Sequence, residues 1–229
     1  MKTKFLSILM LSVALTFTAV AQDNPKNIYS VRPGFSLPMG DYNELAKPMY
    51  NYQLDWQHYL NPSFAVGLGF LSGGNGFDAD KAAENVLSNY PQATMSTVEA
   101  GNYKYTALYG MFTYNLTPTK KLKVELTTRL GAVFSKYPAL SVTAEDAIFY
   151  YLRSEEESAN ATSFYYTGAL VLRYPVSNTF DLSLSNEFVG FTGNYSIDGI
   201  DRISNTRYTA KYKQPYTAIF TSIGLNWKM

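Results

Sequence analysis

From residue 27 onward, large apolar residues alternate with polar or small ones at a period of two, which is the signature of strands with two different faces. In the first segment Tyr29, Val31, Phe35 and Leu37 alternate with Ser30, Arg32, Gly34 and Ser36. A second, over 49–60, sets Tyr50, Tyr52, Leu54, Trp56 and Leu60 against Asn51, Gln53, Asp55 and Gln57. Beyond Asn61-Pro62, Phe64, Val66, Leu68 and Phe70 oppose Ala65, Gly67 and Gly69. The fourth, roughly 103–116, is mixed on both faces, so the pattern leaves its facing open. The fifth, 122–134, is the clearest: Leu122, Val124, Leu126, Thr128, Leu130 and Phe134 lie opposite Lys123, Glu125, Thr127, Arg129 and Gly131. Segments 162–174, 180–188 and 216–227 repeat the pattern, giving eight strands of about the length a tilted strand needs to span a hydrocarbon layer.

The connections alternate in length: 61–63, 117–121 and 175–178 are tight, whereas 38–48, 72–102, 136–161 and 192–214 are long. An even strand number with short turns at one end and long loops at the other predicts an all-β fold, an eight-stranded antiparallel transmembrane β-barrel with periplasmic turns and extracellular loops. Two loops carry helical spacing. Residues 78–90 place Ala82, Ala83, Val86 and Leu87 on one face, and Thr143 with Asp146 three residues later precedes Ala147, Ile148, Tyr151 and Leu152.

Charge parity bears on which way round the barrel is. Arg32, Asp55, Lys123, Glu125, Arg129, Arg173, Asp181 and Glu187 all lie opposite the large apolar residues. A water-soluble barrel would turn the apolar face inward; a membrane barrel would turn these charges into the lumen. Aromatics near the strand ends favour the membrane orientation, since aromatic residues collect at both interfaces. Tyr50, Tyr52, Phe70, Tyr103, Phe134 and Phe188 are expected in the outer girdle, and Phe64, Tyr114, Tyr174, Phe180 and Trp227 in the inner one.

The N-terminus adds a compartment. Lys2 and Lys4 precede an apolar run to about Phe17 and then Ala19-Val20-Ala21, so residues 1–21 read as a signal peptide for Sec export, with 22–229 as the barrel domain. Without Lys2 and Lys4, 17 basic residues face 18 acidic ones, and no basic face suggests nucleic acid. The chain has no cysteine, which removes disulfides and thiolate metal sites. It holds 20 Tyr and 14 Phe, yet its mean hydropathy is only −0.15, as expected where lipid-facing and lumen-facing residues alternate.

The segment Gly34-Phe35-Ser36-Leu37-Pro38-Met39-Gly40-Asp41-Tyr42 resembles the strand-then-loop segment of Bacteroidetes outer-membrane β-barrel proteins, and the whole pattern resembles the OmpA/OmpX-like class. The resemblance implies residence in the outer membrane, contact with its lipid and lipopolysaccharide, and handling by the barrel-assembly machinery. It also implies extracellular loops available to a protein or glycan partner. Such barrels often end on an aromatic residue, whereas here Trp227 is followed by Lys228 and Met229.

Catalytic chemistry finds little support. The single histidine, His58, would resemble a lipid-A deacylase site only with a serine two residues later, where Leu60 stands. No metal, cofactor or catalytic residue is expected. The inward charges, four basic and four acidic, read as a network that closes a narrow lumen. Arg173 and Asp181 are expected one step from direct opposition, with the turn centred between Val176 and Ser177; Arg32 and Asp55 are related across a longer loop. Asn160-Ala161-Thr162 and Asn194-Tyr195-Ser196 match glycosylation sequons of no weight in a bacterial protein. The expected function is a structural, adhesive or recognition role through the loops. A small pore, an accessory barrel of secretion or envelope assembly, and a lipid-modifying enzyme are the alternatives.

Overall fold

The eight alternating segments become eight strands of a closed ring in a computed structural model that describes residues 27–229. The expected signal peptide lies outside the described residues. The ring consists of β1 (Asn27–Pro38), β3 (Met49–Asn61), β4 (Phe64–Phe77), β6 (Tyr103–Asn115), β7 (Lys123–Tyr137), β10 (Ala159–Pro175), β11 (Phe180–Asp201) and β12 (Thr206–Lys228). Each pairs antiparallel with its neighbour, and β1 closes onto β12 from Ile28↔Lys228 to Pro38↔Ala218. Closure removes the sheet edges within the barrel, which lipid could not satisfy with hydrogen bonds.

The barrel is polar inside and apolar outside. Outward Val31, Leu54, Leu68, Leu108, Leu126, Leu170, Leu184 and Ile223 are exposed, while inward Arg129, Arg173, Glu125, Glu187, Gln53 and Thr113 are buried. In water such an exterior would be costly, at roughly 25 cal/mol per Å² of apolar surface left wet; against hydrocarbon that cost vanishes. The fold is therefore a transmembrane barrel, the orientation expected from charge parity.

The fourth strand, unassigned by pattern, is settled by its neighbours. Asn75↔Tyr103 and Gly73↔Tyr105 pairings turn Tyr103, Tyr105, Tyr109, Met111 and Thr113 inward. Tyr103 therefore does not belong to the outer girdle; it is 1% exposed and packs against Tyr42, Tyr137 and Tyr216. The remaining outer-girdle residues, Tyr50, Tyr52, Phe70, Phe134 and Phe188, are exposed, as are Tyr114, Tyr174, Phe180 and Trp227 at the other end.

The long-loop end is more ordered than loops of that length suggest. Helix α1 (Ala79–Asn89) forms where expected, capped by Asp78, whose side chain accepts the Lys81 N–H at 3.2 Å. Lys47, in the two-residue strand β2 (Ala46–Lys47), anchors that helix start through Asp78 at 3.1 Å and Asp80 at 3.2 Å. The second expected helix is absent, and residues 140–156 instead form a hairpin of β8 (Leu140–Glu145) and β9 (Tyr150–Glu156). Asp146 does accept the N–H groups of Ile148 and Phe149, both at 2.7 Å, but it closes a hairpin turn with the bonds that would cap a helix. The stretch 192–214 is likewise not a loop, because β11 and β12 continue paired to Asp201↔Thr206. With β5 (Met95–Ala100) pairing β8, and β9 pairing β11, the order β12-β11-β9-β8-β5 continues the sheet beyond the barrel.

Candidate functional site

Two regions hold chemistry: the lumen and the sheet extension. The structure divides the eight predicted lumen charges into two layers, because strands shifted in register bring together residues far apart in sequence. In the middle layer Arg32 contacts Asp55, Arg129 Nη1 lies 2.6 Å from Glu187, and Arg129 Nη2 lies 3.8 Å from Asp55. Tyr109 donates to Asp55 at 2.7 Å and Gln53 to Glu187 at 2.9 Å. Gly69 makes the first of these bonds possible, since a Cβ there would overlap both the Tyr109 ring and the Asp55 carboxylate.

In the layer toward the short turns, Arg173 contacts Glu125 and Tyr59, and its Nε lies 3.8 Å from Asp181. Asp181 has a nearer cation in Lys228, at 2.7 Å. Arg173 stands opposite Ser183, and Pro175 opposite Asp181, so the expected register is displaced. The cause is the turn: Val176 and Ser177 N–H both donate to the Phe180 carbonyl at 3.0 Å, which moves its centre toward Asn178. Lys123 lies at the rim, half-buried, 6.0 Å over the Tyr59 ring. Tyr59, Tyr109, Gln53 and Lys228 were missed as members of these layers. Tyr59 and Gln53 share the parity of Asp55, a signal the alternation did contain.

Above the charges the lumen turns aromatic. Tyr105 stacks on Phe220 at 5.9 Å, and Phe191 on Tyr216 at 4.4 Å. Tyr195 bonds Ser135 at 2.7 Å and Tyr216 at 2.9 Å. Over them the short 3-10 turn Gly40–Glu44 folds Tyr42 inward, its ring 4.6 Å from Tyr216 and 5.5 Å from Tyr103. Gly40 has a φ of +60, a left-handed conformation that lets the chain bend back over the rim at no cost to a side chain. Side chains thus fill the lumen from the charge layers to the mouth, as eight strands permit.

The extension has its own geometry. Strand β9 runs antiparallel to β11 with Ser154 opposite Asp201, so the residues of β9 that precede Ser154 reach past the β11–β12 turn. The β8–β9 turn at this outermost point bears Ile148, Phe149 and Tyr150, which are 79%, 62% and 53% exposed. Asp146 holds them in place through the two backbone bonds and a bond from Tyr151 OH. Together, Tyr151 first and then the N–H groups of Phe149 and Ile148, these donors hold the Asp146 carboxyl below its ordinary range. His58 sits at the opposite end of the barrel, its Nδ1 3.1 Å from Asn27 Oδ1. Among the described residues no group of three or more His, Cys, Asp or Glu is placed to hold a metal.

No protein-family model matches the chain, and a search of curated proteins also gives no match. Solved structures do match. A major outer membrane protein from Thermus thermophilus superposes with a TM-score of 0.56 at 10% identity, over 89% of this chain and 99% of that one. The fold is that of an outer-membrane barrel. Weaker likenesses are to Neisserial surface protein A, with a TM-score of 0.49 at 10% identity over 89% and 96% of the two chains, and to Ail of Yersinia pestis in complex with the heparin analogue sucrose octasulfate, at 0.46 and 16% over 88% and 99%.

Proposed function

We infer that the protein is a closed, non-enzymatic barrel of the bacterial outer membrane that carries a recognition surface into the extracellular space. The observation that supports this reading best is the apolar turn of Ile148, Phe149 and Tyr150 at the tip of an ordered sheet extension. A flexible polar loop would suffice to cap a barrel mouth. A turn held by Asp146 and presenting three adjacent exposed apolar side chains, far from the lipid-facing belt, instead suits the apolar surface of a partner protein. The balanced charge layers and the aromatic mouth serve as a plug that stiffens the support for this tip. Lumen residues Arg32, Asp55, Lys123, Glu125, Arg129, Arg173, Asp181 and Glu187 are, in this reading, structural.

The test is capture at the surface of intact cells. Ala147 is exposed beside the apolar side chains, so Ala147→Cys supplies a reactive anchor for chemical cross-linking. Cross-linked partners should be recovered with Ala147→Cys and lost when Ile148 and Phe149 are both changed to serine in the same background, while surface protease still cuts only the long-loop end. Equal capture by the serine variant would remove the tip from the function.

A further inference from the structure

We propose that the outer wall of β6, β7 and β10 contains a binding site for the phosphate of a lipid headgroup, centred on Lys104 and Lys136. The proposal rests on the membrane reading above. Along β6 the outward positions from Tyr114 up to Thr106 bear no charge, and along β7 those from Val124 up to Phe134 bear none; the next outward position on each strand is a lysine. Both lysines are exposed, and the register pairs them directly, Lys104↔Lys136. Like charges directly opposite one another across a strand pair are destabilising. Neither amine is in an ion pair with a described residue.

The pair does not stand on a bare convex wall. It borders a groove of about 430 Å³ whose outward side chains are Lys104, Thr106, Phe134, Lys136, Asn160 and Thr162. Asn160 lies directly opposite Lys136, and Thr162 opposite Phe134, so the groove is two rows deep across three strands. Its upper row supplies two ammonium groups and an amide; its lower row supplies two hydroxyls around a phenyl ring. No carboxylate of the described residues borders it. Two ammonium donors with neutral donors beside them suit a phosphate dianion, and the Phe134 ring at the top of the apolar belt suits the acyl chain that continues from it. The site therefore fits a phosphorylated lipid of the leaflet at the long-loop end, whose headgroup supplies the counter-charge that this part of the barrel lacks.

The experiment uses the full mature chain folded in phosphatidylcholine vesicles that contain diphosphorylated lipid A. After extraction into neutral detergent and washing, the lipid A retained per barrel is measured by mass spectrometry. Wild type should retain it, and Lys104→Gln/Lys136→Gln should retain roughly thirtyfold less, in line with the attraction of two surface lysines to an anionic headgroup. Lys211→Gln/Lys213→Gln, which removes the same charge from the extension, should retain as much as wild type. Lipid A lacking both phosphates should not be retained by any variant. Equal retention by the Lys104/Lys136 variant, an equal loss in the Lys211/Lys213 variant, or equal retention of lipid A lacking both phosphates would overturn the proposal. The membrane reading is measured separately by flotation of wild type with the vesicles, so a chain that floats but holds no lipid A refutes the site alone.

Discussion

Replacing Arg173 by alanine removes the cation that Glu125 and Tyr59 share and that reaches Asp181 from 3.8 Å. Glu125 is then left buried without its guanidinium, whereas Asp181 keeps Lys228 at 2.7 Å. Breaking one side of a buried ion pair costs about 3–5 kcal/mol, chiefly through the charge left behind. Lys123→Ala, at the rim, should cost no more than about 1 kcal/mol, because a partly exposed amine can turn to water. The geometry further ranks the partners. In double-mutant cycles, Arg173 with Glu125 should show a coupling of about 2–3 kcal/mol, and Arg173 with Asp181 under about 1 kcal/mol. Urea unfolding in lipid vesicles, followed by tryptophan fluorescence for the single and double alanine variants, measures both. Additive losses in the Arg173/Glu125 pair, or a stronger coupling to Asp181 than to Glu125, would refute the assignment of partners.

The middle layer predicts that Gly69→Ala destabilises the barrel by about 1–3 kcal/mol, since the new methyl group forces the Tyr109 ring off Asp55; the same urea assay should then find little further loss from Tyr109→Phe. In planar bilayers the folded protein should show no steady single-channel conductance, because the lumen is filled by ion pairs below and aromatic rings above; a stable open level would contradict this packing. At the tip, the depressed carboxyl of Asp146 stabilises the turn when ionised, so the turn should stay ordered at pH 5 and loosen only as pH falls below the ordinary aspartate value of about 3.9. Protection of the Ile148 and Phe149 amides, taken as exchange relative to the intrinsic rate at each pH, reports it, and Asp146→Asn should give protection that no longer changes over that acid range.

The alternation of side chains carried much of this protein in plain view. A pleated strand points successive residues to opposite faces, so a period of two, repeated eight times between turns such as Thr117-Pro118 and Pro175-Val176, already implies the barrel and puts Arg32, Asp55, Glu125, Arg129, Arg173, Asp181 and Glu187 on its inner wall. Helix α1 was legible for a similar local reason, with Asp78 placed to cap it. What alternation does not encode is register between strands, and partners inside a barrel are chosen by register. Arg173 meets Glu125 and Tyr59 from other strands, and a turn centred slightly beyond the expected place is enough to put Asp181 nearer Lys228. Tyr103 is misplaced in the outer girdle by sequence because a tyrosine serves equally at a lipid interface and in a packed aromatic mouth, and only pairing with β4 turns it inward. Residues 143–152 form a hairpin where the spacing predicts a helix, because an aspartate bonding the next N–H groups begins a helix or closes a turn with the same local hydrogen bonds. There the choice fell to long-range pairing with β5 and β11, which satisfies backbone groups along a whole hairpin and which no local window of sequence contains.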